Sequence, residues 1–592
     1  MLRSVRLRIF FLILSGLFFV FVPFESSAGS KQSESEDPLL TAMQTELKRT
    51  QKGLQLPEQP APYFIGFWVQ EKASATISGK YGGITYSHPV FHPFRTAGVQ
   101  VRVGSYKFDN TNLPLKLRFN PEDVMDILEE GDWRLSQVPT EDGEASLRAA
   151  LWLMSDMAYK RAIGDYQKKR ISQATSVDNG KDGQPDDFSK ETPNRFIGPL
   201  QEISFDENKW KDIIRKVTGY LAAKTGIMEP SMDVRDDRFI NYYVNTEGTI
   251  IRTSEGFYTV EINAWIRTPD GMKVHSFRNF FVRDSGELAD IKTFMSEAES
   301  LAKELGELNN AEEFKPYTGP AILGPDVAGV FFHEALGHRL EGERQRMQDS
   351  GQTFKEKVGE KILPEFLTIT DDPTLHKFKG KTVAGFYEYD DEGVGAQKTV
   401  LVEKGILKNY LLSRTPIKGF NKSNGHGRSQ LWGIFVNTNG RMANLIVDSD
   451  KKLSLEKLKS MLIEEARKQG KPYGLIIRRV TGGETNTQAS QGMFGGPFQA
   501  FKATPVLVYA VDVETGKEKL VRGVELVGTP LVSLEKVIAT GDDADIFNGA
   551  CGAESGKIPV SVISPSILTA QVELQRIGGN PKRPPILPSP FQ

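Results

Sequence analysis

The spacing of apolar and polar residues gives the two halves of the chain different characters. In the first half, apolar residues at helical spacing predict amphipathic helices over 38–54, 145–171, 205–224 and 287–308. Alternation with a period of two, clearest in the Val-Gln-Val-Arg-Val run at 99–103, predicts strands between them. This mixture of sheet and covering helices is typical of an α+β fold.

Other strand-like runs of the first half cluster in two places. The first run covers 63–86 and contains a Gly-rich turn at 79–83. The later runs lie at 240–244, 248–254 and 258–267. A Pro-Asp-Gly turn at 269–271 then predicts a hairpin with 274–282 as the returning strand. The polar segment 172–194, rich in Asp, Gly, Ser, Lys and Pro, predicts a flexible loop.

The second half is mostly strand-like. Its predicted strands are 366–370, 382–389, 398–403, 405–412, 473–480, 505–513 and 518–527. The sequence Glu403-Lys404-Gly405 predicts a tight hairpin, and 453–469 predicts an amphipathic helix. Loops rich in Gly and Asn at 421–427 and 482–496 join these elements, and such loops commonly carry binding residues.

Length and composition fit a globular chain of more than one domain. The chain has 592 residues, of which 39% are hydrophobic and 25% charged, values that exclude a largely disordered protein. We predict an N-terminal α+β domain at 29–315, a β-rich C-terminal domain at 316–578 and a Pro-rich tail at 579–592. The net charge of −2 argues against a nucleic-acid partner bound through a basic surface.

The N-terminus has the features of a secretory signal peptide. Three arginines in the first eight residues precede an apolar run at 9–24, and Ser26 and Ala28 have the small side chains of a cleavage site. We therefore predict that residues 1–28 are removed and that the protein is periplasmic or extracellular. An uncleaved membrane anchor is the alternative, but the run is short for a bilayer, and no later stretch is long enough to span one.

One motif in the second half carries metal chemistry. An apolar run at 327–332 leads into His333 and Glu334, and His338 follows shortly afterwards. Two histidines and a glutamate are the side chains of a zinc hydrolase, in which the imidazoles hold the metal and the carboxylate takes a proton from water. The alternative is a pair of partly buried histidines that only make hydrogen bonds.

The spacing of the two histidines requires an irregular helix. Five positions on a regular α-helix place two side chains roughly 140° apart, which is too far for one metal ion. A π-bulge would reduce the angle to roughly 50°. Gly337 would make such a bulge inexpensive, or would let the helix end there.

A catalytic zinc site normally has a third protein ligand. The candidates are Glu341, Glu343, His376, His426, the acidic run 390–392 and Cys551. We favour Cys551, because small residues flank it and because a single thiol in an exported protein needs a reason, although an inert buried thiol remains the alternative. We expect Glu341 and Glu343 on a solvated face, His376 on the surface, and Asn424, His426 and Arg428 in a substrate-binding loop.

Short motifs between residues 317 and 566 resemble, in the same order, the TldD/PmbA family of metallopeptidases, also called modulators of DNA gyrase. They lie at 319–320, 333–342, 390–394, 400–407, 424–428, 441–444, 480–483, 551–552 and 558–560. The first half resembles the family only at 245–249 and in its α+β pattern.

The resemblance implies a two-domain chain whose C-terminal β-rich domain contains the metal-site helix. It implies that His333, His338 and Cys551 bind Zn²⁺ and that Glu334 is the general base. Catalytic members cleave extended peptides and unfolded chains, and members form homodimers or heterodimers with a related subunit. The alternative is a non-catalytic binding or assembly subunit of the cell envelope, which would have no use for Glu334 beside two histidines.

Overall fold

The computed structural model describes residues 37–89, 94–113, 135–141, 143–175, 184–201, 205–346, 352–430, 438–485, 501–553 and 555–577. The predicted signal peptide at 1–28 and the predicted tail at 579–592 lie outside these ranges, so both stay predictions. Among the described residues, no helix combines the length and the apolar character needed to cross a membrane.

The first half forms one sheet of long strands with helices packed against it. Its helices are α1 (Pro38–Gly53), α2 (Glu144–Thr175), α3 (Glu207–Ala222) and α4 (Ile291–Asn310). Its strands are β1 (Pro62–Lys80), β2 (Gly83–His88), β3 (Phe94–Val103), β4 (Leu135–Gln137), β5 (Arg195–Ile197), β6 (Ile227–Asn245), β7 (Ile250–Arg267) and β8 (Lys273–Val282). The strand order is β4-β3-β1-β6-β7-β5, with β2 beside β1 and β8 beside β7.

The two faces of this sheet have different neighbours because side chains alternate along each strand. On one face, Ile65 and Phe67 pack with α1 and α2, and Ile77 packs with α3. On the opposite face, Trp68 packs against Tyr243 and donates a hydrogen bond to the carbonyl of Asp391 at 2.6 Å. The helices therefore cover one face and the second half of the chain covers the other.

Two predictions for the first half were wrong in detail. The runs 248–254 and 258–267 form the single strand β7, which continues through Gly256 without a break. A Cβ atom on Gly256 would lie 1.8 Å from the guanidinium of Arg238, so the glycine makes room for that side chain. Segment 172–194 is not a simple loop either, since α2 continues to Thr175 and Phe188 is buried against Phe64, with ring centroids 4.9 Å apart.

The second half is built mainly from strands. Its helices are α5 (Pro325–Ala335), α6 (Gly342–Arg346), α7 (Leu455–Lys468) and α8 (Pro530–Glu535). Its strands are β9 (Glu312–Glu313), β10 (Tyr317–Leu323), β11 (Leu367–Asp371), β12 (Lys377–Phe378), β13 (Lys381–Thr382), β14 (Thr399–Glu403), β15 (Ile406–Leu407), β16 (Gly427–Arg428), β17 (Asn439–Gly440), β18 (Asn444–Ser449), β19 (Lys452–Leu453), β20 (Tyr473–Thr485), β21 (Phe501–Asp512), β22 (Glu518–Arg522), β23 (Val524–Gly528), β24 (Val537–Gly541), β25 (Asp545–Ala553), β26 (Gly556–Ser564) and β27 (Ile567–Arg576).

These strands form two large sheets. The first has the order β19-β24-β27-β10-β20-β21-β22-β9, with β23 beside β21 and β27, and the second has the order β15-β14-β11-β18-β26-β25. The α+β prediction is confirmed, and so is the hairpin at Glu403-Lys404-Gly405. The predicted strand 382–389 is largely absent: the backbone N–H groups of Ala384 and Gly385 donate to the side chains of Ser561 and Asn444 instead of to a neighbouring strand.

Buried charges join the two halves. The guanidinium of Arg414, in the second half, pairs with Glu247 of the first half at 2.8 Å. It also donates to the backbone carbonyl of Ser189 and lies 4.0 Å from the ring centroid of Phe188. Because β9 begins at Glu312 and belongs to the second-half sheet, sheet membership changes between β8 and β9, close to the predicted border at 315.

Candidate metal centre

Helix α5 brings the two histidines to one place by ending between them. Gly324 is its N-cap, Pro325 is its first residue, and its apolar side chains are buried. The α-helix ends at Ala335, Leu336 has φ −119° and ψ −56°, and a 3₁₀ helix spans Gly337–Leu340. Of the two predicted irregularities, the structure therefore has the helix end and not the π-bulge.

Gly337 is required at this helix end by space and not by its backbone angles. A Cβ atom on Gly337 would lie 2.0 Å from the sulfur of Met442. The close approach of Met442 packs the turn that carries His338 against the segment that follows β17.

The side chains of His333, His338 and Cys551 converge. The Sγ atom of Cys551 lies 3.2 Å from Nε2 of His333 and 3.3 Å from Nε2 of His338. The two imidazole planes are 88° apart, and all three ligand atoms lie within 4.8 Å of one another. Zn–N and Zn–S bonds at a tetrahedral angle would separate nitrogen from sulfur by roughly 3.5 Å. This donor set therefore fits a zinc ion with little movement.

Strand β25 delivers Cys551 to the histidines. It pairs only with β26 among the described strands, with Cys551 opposite Ile558. Helix α5 packs against β26 at Gly329, where a Cβ atom would lie 3.4 Å from Val562, an ordinary contact distance. The hairpin that carries Cys551 thus packs against the helix that carries His333.

The electrostatics of the cluster favour a thiolate beside an imidazolium. Burial alone would raise the pKa of the Cys551 thiol, but the charges of His333 and His338 lower it well below its usual range. Burial alone would lower the pKa of His338, but Glu341 and Cys551 raise it to about 10. The thiolate is the form of cysteine that binds metal.

Glu334 lies next to this cluster with an oxygen that has no partner. Its side chain is buried, and Oε2 makes no hydrogen bond with any of the described residues. Burial raises the pKa of its carboxyl, although the charges of His333 and His338 act in the opposite direction. A Cβ atom on Gly483 would lie 2.8 Å from Cγ of Glu334, so the backbone of β20 passes directly over this carboxyl. The carboxyl group of Glu334 is therefore packed in a fixed position, and its Oε2 atom is available to accept a hydrogen bond or a proton.

The expectation that Glu341 lies on a solvated face was wrong. Glu341 is buried and its Oε1 lies 2.8 Å from Nδ1 of His338, while its Oε2 pairs with Arg344 at 2.7 Å. Burial would raise the pKa of Glu341, but Arg344 and His338 lower it well below its usual range. A carboxylate that accepts the second ring N–H of a histidine fixes the tautomer that offers Nε2 to a metal.

Glu343 was also wrongly expected on a solvated face. It is buried, it accepts hydrogen bonds from the hydroxyl of Ser413 and from the backbone N–H of Gly440, and burial raises its pKa to about 7. Glu343 thus belongs to the protein interior.

The raised pKa of Glu343 predicts that the protein loses stability as the pH rises from acidic to neutral. In the unfolded chain the carboxyl titrates near 4.5 and in the folded chain near 7, so its contribution is fully present below pH 4.5 and disappears as the pH rises through 7. We expect the free energy of unfolding to fall by about 3 kcal/mol from this group between pH 5 and 8. Urea unfolding at both pH values, for the wild type and for Glu343→Gln, isolates the effect. An equal fall in both proteins would contradict it.

The remaining ligand candidates lie in other surroundings. His376 is exposed, as predicted, and stacks on Phe386 with ring centroids 3.7 Å apart. His426 is fully buried, 3.3 Å from Asp371. In the acidic run 390–392, burial raises the pKa of Asp391 to about 6 and of Glu392 to about 7, and both carboxylates accept backbone N–H groups. The metal-type cluster found among the described residues includes none of these side chains.

The loop predicted to bind substrate uses its side chains inside the protein. Asn424 donates to the carbonyl of Tyr410 at 2.8 Å and accepts from the backbone N–H of Leu412. His426 contacts Asn424 and Asp371, and Arg428 donates to the carbonyls of Met442 and Pro559. These contacts give the loop a structural role beside the site, and direct contact with substrate stays a prediction.

Sequence comparison connects the second half to a known family. Residues 316–576 match the family model described as the PmbA/TldA metallopeptidase C-terminal domain. A protein of Archaeoglobus fulgidus named "Metalloprotease" is 34% identical over 248 residues, which are 42% of this chain and 51% of that protein. A "Zinc metalloprotease TldD homolog" of Saccharolobus solfataricus is 28% identical over 275 residues, 46% of this chain and 54% of that protein. The chain thus spans about half the length of these curated relatives.

The likeness of fold extends over nearly the whole chain. The crystal structure of TldE from Thermococcus kodakarensis superposes with a TM-score of 0.55 at 16% identity, over 90% of this chain and 100% of that one. At this low sequence identity, the superposition shows that the two proteins share a fold and shows nothing about function. The matched domain and the TldD-named relative thus place residues 316–576 in the TldD/PmbA family.

Proposed function

We propose that this chain is a zinc-dependent peptidase that cleaves unstructured peptides or unfolded chains. One observation carries the proposal: a His-His-Cys donor set lies next to a buried glutamate whose Oε2 has no hydrogen-bond partner among the described residues. A purely structural zinc site would need no unpartnered carboxylate, whereas a hydrolytic site needs a group that can accept a proton.

His333, His338 and Cys551 would hold the ion. A zinc ion in such a site makes a water molecule more acidic and polarises a carbonyl group. Glu334 accepts the proton of the attacking water on its unpartnered oxygen and then delivers that proton to the leaving amine.

The burial of the site supports an unstructured substrate. His333, Glu334, His338 and Cys551 are each at most 8% exposed. A folded protein presents its peptide bonds on a surface too broad to reach such side chains, whereas an extended chain can enter a narrow opening. We infer from the same argument that the substrate binds as an extended strand.

The family resemblance and the N-terminal sequence add two further inferences. We propose that the chain works as a dimer, either with itself or with a related subunit, and that residues 1–28 direct its export to the periplasm or the cell exterior. The mass of the protein recovered from producing cells tests the second inference, since cleavage after Ala28 would remove 28 residues.

The decisive experiment measures hydrolysis of casein by the purified protein, with and without a metal chelator, together with its zinc content. Cleavage that the chelator abolishes and added zinc restores is the expected result. Absence of cleavage by a zinc-containing protein would favour a requirement for a partner subunit. Absence of both zinc and cleavage would favour the alternative function, a non-catalytic binding or assembly subunit of the cell envelope.

A further inference from the structure

Arg441 is a fully buried arginine beside the candidate metal centre, and the peptidase proposal gives it no role. It follows β17 and begins the Arg-Met-Ala-Asn motif at 441–444. A buried guanidinium is costly unless its N–H groups find acceptors. The hydrogen-bond acceptors of Arg441 therefore indicate its structural role.

Those acceptors belong to the third candidate ligand and its turn. One terminal nitrogen of Arg441 donates to Sγ of Cys551 at 3.1 Å and to the backbone carbonyl of Cys551 at 3.0 Å. The other terminal nitrogen donates to the hydroxyl of Ser555 at 2.8 Å and to the carbonyl of Gly556 at 3.2 Å. One side chain thus holds the sulfur and both ends of the turn between β25 and β26.

The same guanidinium also reaches the support of the second histidine. Its Nε lies 3.2 Å from Oε1 of Glu341, the oxygen that lies 2.8 Å from Nδ1 of His338. The contacts form a closed ring that runs from the imidazole of His338 through Glu341 and Arg441 to the sulfur of Cys551 and back to Nε2 of His338. The buried ion pair of Arg441 and Glu341 therefore contacts two candidate ligands, Cys551 and His338, from distant parts of the chain.

We propose that Arg441 is a positioning residue that orients the thiolate of Cys551 and reduces the negative charge that this thiolate gives to the metal. The inference rests on the proposed metal site. An N–H donor on a thiolate draws electron density from the sulfur, so the metal keeps more of its positive charge. Arg441 also links the surroundings of the two candidate ligands, because it donates to the sulfur of Cys551 and forms an ion pair with the carboxylate that faces His338.

The test uses cobalt(II) as a spectroscopic substitute for zinc. We expect the thiolate-to-cobalt charge-transfer band of Arg441→Met to move to longer wavelength than in the wild type, because a sulfur without its hydrogen bond gives up electrons more easily. We also expect zinc affinity, measured by competition with a chromophoric chelator, to fall about 10- to 100-fold, because Arg441 no longer holds Cys551 in the orientation for binding and this loss outweighs the stronger donation by the free thiolate.

Arg344→Met is the matched control. Arg344 is another buried arginine that pairs with Glu341, through Oε2, so its removal disturbs the carboxylate without removing the donor to the sulfur. We expect its cobalt band to stay at the wild-type wavelength. Should Arg441→Met fail to fold, Arg441→Lys keeps the charge, loses the guanidinium fork, and is expected to shift the band in the same direction.

Two results would overturn the inference: an unmoved band in the Arg441 variants, or an equal shift in Arg344→Met. Failure of the wild type itself to bind cobalt or zinc would instead overturn the proposed metal site, so the two failures are distinguishable.

Discussion

Replacing Glu334 with glutamine should reduce peptide hydrolysis by about 100- to 10,000-fold, the usual contribution of a general base. The amide has nearly the same shape but cannot accept a proton, and Glu334 is outside the His-His-Cys donor set, so zinc content should stay unchanged. The folded protein should be at least as stable as the wild type, because a neutral amide costs less to bury than a carboxylate. Steady-state hydrolysis of an unfolded substrate and metal analysis of the same sample measure both quantities.

Glu343→Gln provides the matched control for this variant. Glu343 is also buried, lies nine positions further along the chain, and makes its contacts with Ser413 and Gly440. We expect it to keep most of the wild-type activity at neutral pH. Hydrolysis by Glu334→Gln within tenfold of the wild type would remove Glu334 from the mechanism, and equal losses in both variants would attribute the effect to general disturbance of the region.

Replacing Cys551 with serine should remove the metal and the activity together. A serine hydroxyl does not ionise near neutral pH, so the site would lose its anionic ligand and two histidines would remain. We expect zinc affinity to fall by more than about 100-fold, the upper end of the loss that a residue supporting a ligand causes. Dialysis against a zinc buffer followed by metal analysis measures this loss.

Stability gives an independent measure of the same change. A metal held at 100 times its dissociation constant stabilises the folded state by about 2.7 kcal/mol, so zinc should raise the melting temperature of the wild type and not that of Cys551→Ser. His376→Ala is the control, because His376 is exposed and outside the cluster, and it should respond to zinc as the wild type does. Full zinc content in Cys551→Ser would show that the sulfur is not a ligand.

The sequence predicted the chemical groups of the site better than it predicted their supports. His333, Glu334 and Cys551 could be selected because few residue types bind zinc or accept protons, and only one cysteine was available. The need for an irregular helix followed from the spacing of the histidines, but the spacing does not distinguish a bulge from a helix end, and the contact of Gly337 with Met442 is a tertiary one.

The roles of Glu341 and Arg441 could not be derived from spacing. Glu341 lies in a charged run that by itself is typical of a solvated helix face, and only the fold buries it against His338. Arg441 is 110 residues from Cys551, and no local pattern connects them. Its place in a motif shared with the TldD/PmbA family was a signal, but the partner became visible only in three dimensions.

The prediction of elements failed where a side chain from another part of the chain decided the local structure. Gly256 resembled a break between strands, yet the arginine on the neighbouring strand occupies the space of its missing side chain. The predicted strand 382–389 satisfies backbone N–H groups with Ser561 and Asn444, which lie far away in the sequence. In both cases the deciding contact is long-range, and a local pattern contains no information about it.

The position of Cys551 also determines when the candidate metal centre can be completed. During synthesis, His333 and His338 leave the ribosome more than 200 residues before Cys551, which lies 218 residues after His333. Strand β25 pairs only with β26 among the described strands, so its cysteine is not fixed until β26 has also been made. A nascent chain therefore has no complete donor set, and under the proposed function it could hydrolyse peptides only after the C-terminal sheet has assembled.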